Sequence, residues 1–164
     1  MAWAVILLAS NDEESAKALA SRERYPSRMR AWLNNHPLHE HGQQLRARAE
    51  AEDLAGHPSE LKRILERPDV LPTGVSASDL IGIVGKGPGV EAYAPAGHRA
   101  TILKEHALAP NSGGPLRIRW VPDELWSHLW RDDDRQAPRV AILLDLLESD
   151  NPRARRESGR ALAP

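Results

Sequence analysis

The chain has 164 residues, of which 41% are hydrophobic and 27% are charged, and this balance excludes an intrinsically disordered protein. Its formal net charge is −1, so no overall field attracts nucleic acid or a membrane surface, and any basic contact site has to be local. It contains no cysteine, which excludes disulfides, thiolate metal sites and cysteine nucleophiles.

The chain opens with the apolar run AWAVILLA. This run has no basic flank and no cleavage site beside it, and it is too short to span a bilayer. We therefore interpret it as a core segment, and we expect a cytoplasmic protein with no membrane partner.

Helical patterns fill the first 67 residues. Asn11 or Asp12 can cap a helix with acidic residues in its first turn, and Pro58 begins a short helix further along the chain. The segment 38–55 is also interpreted as helix, with a thin apolar side, because no alternating run follows the first ten residues. We predict a helical N-terminal segment over residues 1–67.

Strands and helices alternate after residue 67. A short strand or turn is predicted at 70–75, and two clear strands at 90–94 and 116–121, where apolar and polar residues alternate. Helices with apolar faces are predicted at 98–108, 122–130 and 137–147, and Asn151-Pro152 is predicted to cap a last helix at 153–163. The prediction is an α+β fold that is mostly helical, in which residues 68–164 form a small α/β domain with about three strands covered by helices.

Two arginines of the strand at 116–121 are candidate contact residues. In LRIRWV, the side chains of Arg117 and Arg119 fall on the face opposite Leu116, Ile118 and Trp120. This face could meet an acidic partner. The alternative is a solvent-exposed sheet face, which antiparallel sheets commonly have.

The last fourteen residues form the most basic segment, with four arginines and one glutamate. Arg153, Arg156 and Arg160 are spaced by three and four residues, so they line up on one helix face that can grip phosphates. We interpret them as the strongest candidates for a nucleic-acid contact. The alternative is a solvated terminal helix that pairs with the acidic run 132–134.

Metal and phosphate motifs are weak. His36, His39 and His41 have spacings that do not converge on one side of a regular helix, so a histidine-rich turn is favoured over a metal site. The run Gly85–Gly89 precedes a strand instead of a helix, so we interpret it as a plain turn and not as a phosphate loop. No cofactor is expected.

Asp145 and Glu148 are three residues apart on the most apolar helix and could form an acid/base pair. The favoured alternative is a structural role, in which these carboxylates flank the helix and pair with Arg139 or Arg153.

Four segments in the second half of the chain carry a family resemblance. They are TGVSASDLIG (73–82), VEAYAPAGHRATILKEHAL (90–108), GGPLRIRWVPDELW (113–126) and APRVAILLDLLESDNPRARRESGRAL (137–162). Over residues 70–162 the chain resembles the C-terminal domain of bacterial type IV abortive-infection (AbiEi-like) antitoxins and related bacterial transcriptional regulators. The matching positions are Thr73, Gly74, Ala92, Tyr93, Leu116, Arg117, Arg119, Val121, Pro122, Trp126, Ala137, Pro138, Asp145, Leu146, Leu147, Pro152 and Arg153.

The resemblance implies a non-catalytic antitoxin or transcriptional regulator. Its partners would be a cognate toxin or another protein, and promoter DNA where a winged helix-turn-helix precedes the domain. Residues 1–67 depart from that pattern, because they lack the glycine-bounded pair of alternating strands that a wing requires.

The alternative function is a degenerate or active nucleotidyltransferase-like nucleotide-binding domain. Such enzymes place two metal-binding carboxylates on the strand that follows a glycine turn. The strand after Gly74 offers only Glu91, so a binding protein is favoured over an enzyme.

Overall fold

The structure is a computed structural model that describes residues 2–20, 25–38, 40, 45–83, 89–129 and 135–163. The helices are α1 (Ala2–Ala9), α2 (Glu13–Leu19), α3 (Tyr25–Asn35), α4 (Pro58–Arg63), α5 (Gly74–Ala77), α6 (Arg99–Glu105), α7 (Asp123–Leu129), α8 (Arg139–Leu147) and α9 (Pro152–Ala161). The strands are β1 (Glu50–Ala55), β2 (Leu71–Pro72), β3 (Val90–Pro95), β4 (Ala109–Pro110) and β5 (Leu116–Val121). Short 3-10 turns occupy Arg46–Arg48, Ile64–Glu66, Ser78–Ile81 and Ala96–His98. The α+β, mostly helical fold class is confirmed.

The strands form one five-stranded mixed sheet with the order β2-β3-β5-β1-β4. The central pair, β3 and β5, is parallel, and the other neighbouring pairs are antiparallel. The three predicted strands correspond to β2, β3 and β5. The sheet also contains β1 and β4, which the sequence patterns did not indicate.

The helix predicted over 38–55 is wrong at its C-terminal end, because β1 occupies Glu50–Ala55. The sequence EAEDLA resembles a solvated helix, but in the sheet its acidic residues lie opposite the basic strand β5. Asp53 is paired with Arg117 in the register, and Glu52 is paired with Ile118. Cross-strand charge pairing of this kind compensates for the low intrinsic strand preference of Glu, Asp and Ala.

The two faces of the sheet pack against different helices. One face carries Ala92 and Ala94 of β3 and the apolar positions of β5, and it packs against Ile102 of α6 and Leu61 of α4. The other face carries Tyr93, and α1 and α8 contribute to its core. This second face holds polar side chains beneath α8, and it is the face that bears the candidate site.

Helix α1 confirms the interpretation of AWAVILLA as a core segment, because its residues from Trp3 to Leu8 are all buried. Helix α8 lies in the same core, as its apolar sequence predicts. Residues on both sides of position 67 therefore share the sheet and one hydrophobic core.

Two predicted helix starts are confirmed by their caps. The side chain of Asp12 accepts a hydrogen bond from the backbone N–H of Ser15. The side chain of Asn151 accepts from Arg153 N and Ala154 N at the start of α9, with Pro152 at the first helical position. Among the described residues, no helix is long and apolar enough to cross a membrane.

Candidate functional site

A buried network of charged side chains lies between the polar face of the sheet and α8. Its centre is Asp145, whose side chain is fully buried although its neighbours on α8 are almost all apolar. The Nε of Arg119 lies 3.0 Å from Asp145 Oδ1, and Arg48 pairs with the same oxygen. Thr73 donates its hydroxyl to the other carboxylate oxygen. Both oxygens of the Asp145 carboxylate are therefore satisfied.

Arg48 ties the N-terminal part of the chain to this network. Its Nε donates to the hydroxyl of Tyr93 at 2.8 Å, and its Nη1 donates to the carbonyl of Leu45 at 2.9 Å. The indole N–H of Trp3 donates to the Arg48 carbonyl at 2.6 Å. The rings of Trp3 and Tyr93 also meet edge to face, with centroids 5.3 Å apart.

The two arginines keep Asp145 ionised. Burial on its own favours the neutral acid, but the charges of Arg119 and Arg48 and the hydrogen bond from Thr73 outweigh it and hold the pKa of Asp145 below its ordinary value. Burial also raises the pKa of Tyr93 far above that of a free phenol, so its hydroxyl stays protonated. The charges of Arg48, Arg119 and Asp145 therefore stay the same around neutral pH.

Glu91 is the member of this region without a hydrogen-bonded counter-ion. Its Oε2 is buried and has no hydrogen-bond partner in the described part of the chain, and the nearest guanidinium nitrogen, Arg119 Nη1, is 3.7 Å away and equally unpartnered. Burial raises the pKa of Glu91 to about 7, because the charge of Arg119 offsets only part of the desolvation. Glu91 therefore titrates near neutral pH.

Helix α5 and the strand β3 place the Glu91 side chain. Its backbone N–H donates to Ser76 Oγ at 2.9 Å, and its carbonyl accepts from the N–H of Thr73 at 3.0 Å. Gly74 has a φ of +50°, and a β-carbon at this position would overlap the Glu91 carboxylate. Glycine at residue 74 thus permits both the turn and the close approach of the carboxylate.

A cavity of about 580 Å³ opens beside Glu91. Its walls come from the start of β3, the turn before β5, the end of α8 and the start of α9. They are lined by Asp53, Val75, Gly89, Val90, Glu91, Gly113, Gly114, Pro115, Arg117, Glu148, Ser149, Asp150 and Asn151. This volume is in the range of small-molecule sites in proteins, roughly 300–1,000 Å³.

Arg119 does not lie on an exposed face, and the prediction that it is available to an acidic partner is wrong. Its side chain is only 2% exposed, because α8 covers this face of β5. Its guanidinium contacts Asp145, and its Nη2 donates to Glu148 Oε2 at 3.2 Å. The alternation in LRIRWV correctly separates two faces, but both faces are covered.

Arg117 is half-buried at the edge of the same face. Its Nε and Nη2 donate to the two oxygens of Asp53 at 2.6 and 3.1 Å. This bidentate pair with a strand neighbour satisfies the guanidinium within the chain. Arg117 still lines the cavity, so it faces any occupant together with its partner carboxylate.

The three arginines predicted on the last helix are brought together on an exposed strip of α9, here called the arginine strip (Arg153, Arg156 and Arg160). Arg153 donates to Glu157 at 2.7 Å, and its side chain is 66% exposed. No ion pair of Arg156 or Arg160 occurs within the described ranges. The acidic run 132–134, the alternative partner, lies outside the described residues.

Asp145 and Glu148 pair with arginines, but the predicted partners, Arg139 and Arg153, are wrong. Asp145 points into the core instead of flanking the helix, and it pairs with arginines from β5 and from the turn before β1. Glu148 receives Arg119 at 3.2 Å.

His39 and His41 of the predicted histidine-rich turn lie outside the described residues, as does most of the Gly85–Gly89 turn. His36 stacks on Trp32, with ring centroids 4.8 Å apart. Among the described residues, no group of three or more His, Asp or Glu side chains is arranged to hold a metal ion.

No protein-family model, curated protein or solved structure matches the chain.

Proposed function

We propose that the chain is a non-catalytic binding protein of the antitoxin or regulator type, whose arginine strip contacts an anionic partner. The partner is the acidic face of a protein such as a cognate toxin, or promoter DNA. The observation that carries the proposal is the exposure of three aligned guanidiniums on α9 while Arg119 and Arg117 are engaged within the chain.

Helix α9 suits a contact role because its packing does not depend on the strip. Ala154 and Ser158 are its buried positions, and Leu162 follows them just beyond its end. The arginines protrude from the opposite side. A helix that is anchored by small and apolar residues can present cations without rearranging the core.

The number of cations limits what the strip can do with DNA. Three phosphate contacts release about three counterions, so the affinity should fall roughly 40-fold between 50 and 200 mM salt. With a net charge of −1 and no further basic face predicted, such binding would be weak and salt-sensitive. A partner protein with an acidic surface is therefore the favoured occupant of the strip.

The test has two arms on the intact chain. A fluorescent duplex of the upstream region is titrated at 50 and 200 mM salt, and the protein encoded next to this gene is co-expressed and co-purified. We expect the triple variant Arg153/Arg156/Arg160→Ala to lose the interaction that the wild-type chain makes. The matched control is Arg28/Lys62/Lys104→Ala, which removes the same charge from exposed positions elsewhere.

Each outcome bears on the proposal. Salt-sensitive DNA binding that is lost only in the strip variant would support a regulator, and co-purification that is lost only in the strip variant would support an antitoxin. Equal losses in both triple variants, or no interaction in either arm, would contradict a specific contact strip. Thermal stabilisation by a nucleoside triphosphate would instead favour the alternative, a nucleotidyltransferase-like domain.

A further inference from the structure

The cavity beside Glu91 is lined by charges that do not balance. Five carboxylates lie in or next to its walls, and four guanidiniums oppose them. The carboxylates are Asp53, Glu91, Asp145, Glu148 and Asp150, and the guanidiniums are Arg46, Arg48, Arg117 and Arg119. Among the described residues, one negative charge remains in excess when Glu91 is ionised. Such a region favours a cation in the vacant space.

Glu91 and Asp150 are the carboxylates of this set without a hydrogen bond from a guanidinium of the described residues, and of the two only Glu91 is enclosed by the fold. Asp53 is paired bidentately with Arg117, Asp145 with two arginines, and Glu148 with Arg119. Glu91 has no hydrogen bond from any guanidinium of the described residues, and 13% of its side chain remains exposed. Because Glu91 lines the cavity, that exposed part is available to an occupant.

The remaining walls are suited to an aliphatic stem. Val75, Val90 and Pro115 line the same cavity, and Gly89 and Gly114 add no side chain that would fill it. Burial of a few methylene groups against these residues would stabilise the bound ligand by removing apolar surface from water. A carboxylate without a hydrogen-bonded counter-ion beside an apolar wall suits a cation with a short hydrocarbon chain.

We propose that this cavity binds a small organic cation, a primary amine or guanidine with a short aliphatic stem, whose N–H groups donate to the Glu91 carboxylate. The site is separate from the arginine strip and binds the opposite charge. An experiment that contradicts this binding site would therefore leave the proposed function of the arginine strip untouched, and the reverse also holds.

The experiment is an amide NMR titration of the intact chain with n-butylamine, 1,4-diaminobutane and n-butylguanidine as probes. Concentrations reach about 20 mM, because ligands with so few heavy atoms bind weakly. Butan-1-ol and sodium butyrate are the neutral and anionic controls. We expect saturable shifts at Gly89, Glu91 and Gly114 with at least one cationic probe and none with the two controls.

Two variants locate the site. Glu91→Gln keeps the shape of the side chain and removes its charge, and we expect it to weaken binding at least tenfold. Glu124→Gln removes one exposed carboxylate elsewhere and should leave binding unchanged. The arginine-strip variant should also bind normally. Equal shifts in wild type and Glu91→Gln, or no saturable shifts with any of the three cations, would overturn the proposal.

A pH series adds an independent readout. The charged groups that face Glu91 are Arg117 and Arg119 from β5, Asp145 and Glu148 near the end of α8, and Asp53 from β1. Among them, Glu91 changes its ionisation in this pH range, because its pKa is about 7. Because the cation binds the ionised carboxylate, we expect affinity to fall about tenfold from pH 8 to pH 6. An affinity that stays constant over this range would contradict a contact with Glu91.

Discussion

The two faces of the sheet are held by different forces. The face beneath α6 is apolar, with Leu116 and Ile118 of β5 fully buried against other hydrocarbon. On the opposite face, the same strand buries Arg119 against Asp145. Hydrocarbon packing tolerates volume-conserving exchange, whereas a buried ion pair depends on each of its partners. The face beneath α6 is therefore held mainly by hydrocarbon packing, whereas the opposite face combines the apolar core of α1 and α8 with a buried ion-pair network that fixes a particular arrangement.

The difference also explains where a site can form. An apolar face offers few directional groups, so a cavity there has little to orient a ligand. On the polar face, the network around Asp145 holds its charges in place and leaves Glu91 without a hydrogen-bonded counter-ion at the edge of a cavity. Buried polar groups with incomplete partners are commonly found where function requires them.

The largest expected effect comes from breaking the network at its centre. Asp145→Asn removes the charge that compensates Arg48 and Arg119, and it leaves two buried guanidiniums without their shared carboxylate. We expect the free energy of unfolding to fall by about 3–5 kcal/mol, measured by urea denaturation at pH 7. The exposed control, Asp79→Asn, should change it by less than about 0.5 kcal/mol. A loss below about 1 kcal/mol at Asp145 would show that the network does not hold this face.

The second prediction concerns the ionisation of Glu91, where removing the carboxylate charge is expected to stabilise the protein at high pH. The folded pKa of Glu91, about 7, lies above its ordinary value of 4.5, so the folded chain holds this proton more tightly than the unfolded chain. The resulting stability is fully present below pH 4.5 and is lost as the pH rises to about 7. Relative to Glu91→Gln, the wild-type chain should therefore lose roughly 2–3 kcal/mol between pH 5 and pH 8.

Urea denaturation of both proteins at the two pH values measures this difference. The Glu91→Gln variant is expected to be the more stable protein at pH 8, so its loss of ligand binding cannot be attributed to unfolding. A difference between the two proteins that is independent of pH would contradict the raised pKa.

Local patterns were sufficient to predict β3, β5, α8 and α9, because each has a clear apolar period or a cap. Strand β1 was missed, since EAEDLA has no strand period of its own and depends on the arginines of β5, more than 60 residues away in the chain. Strand β4, with two residues, has too little sequence to show a pattern.

The candidate site was harder to predict than the fold. A signal was present: a single aspartate interrupts the buried run of α8, and a buried carboxylate requires a cationic partner. The partners, Arg48 and Arg119, are 97 and 26 residues away in the chain, and no local spacing identifies them among 18 arginines. The cavity is formed by five chain segments that are close only in the folded protein.

A conservative change on the apolar face should have a smaller effect than either change on the polar face. Ile118→Val removes one methylene group from a fully buried side chain, and we expect a loss of about 0.5–1.5 kcal/mol in the free energy of unfolding. The measurement is the same urea titration at pH 7. A loss above about 3 kcal/mol would mean that the apolar face is as intolerant as the network, and the contrast between the faces would disappear.

The smallest effect is expected where the same chemistry is exposed. Arg153 and Glu157 form an ion pair at 2.7 Å, and the Arg153 side chain is 66% exposed. Water solvates both groups whether or not they pair, so Arg153→Gln should lower the free energy of unfolding by less than about 0.5 kcal/mol in the urea titration. Asp145→Asn breaks a pair of the same two groups at a cost several times larger, and burial accounts for the difference. A loss above about 1.5 kcal/mol at Arg153 would mean that the strip supports the fold. If the small loss is observed, its three arginines can be replaced together without unfolding the chain, and any binding lost in that variant is due to the strip itself.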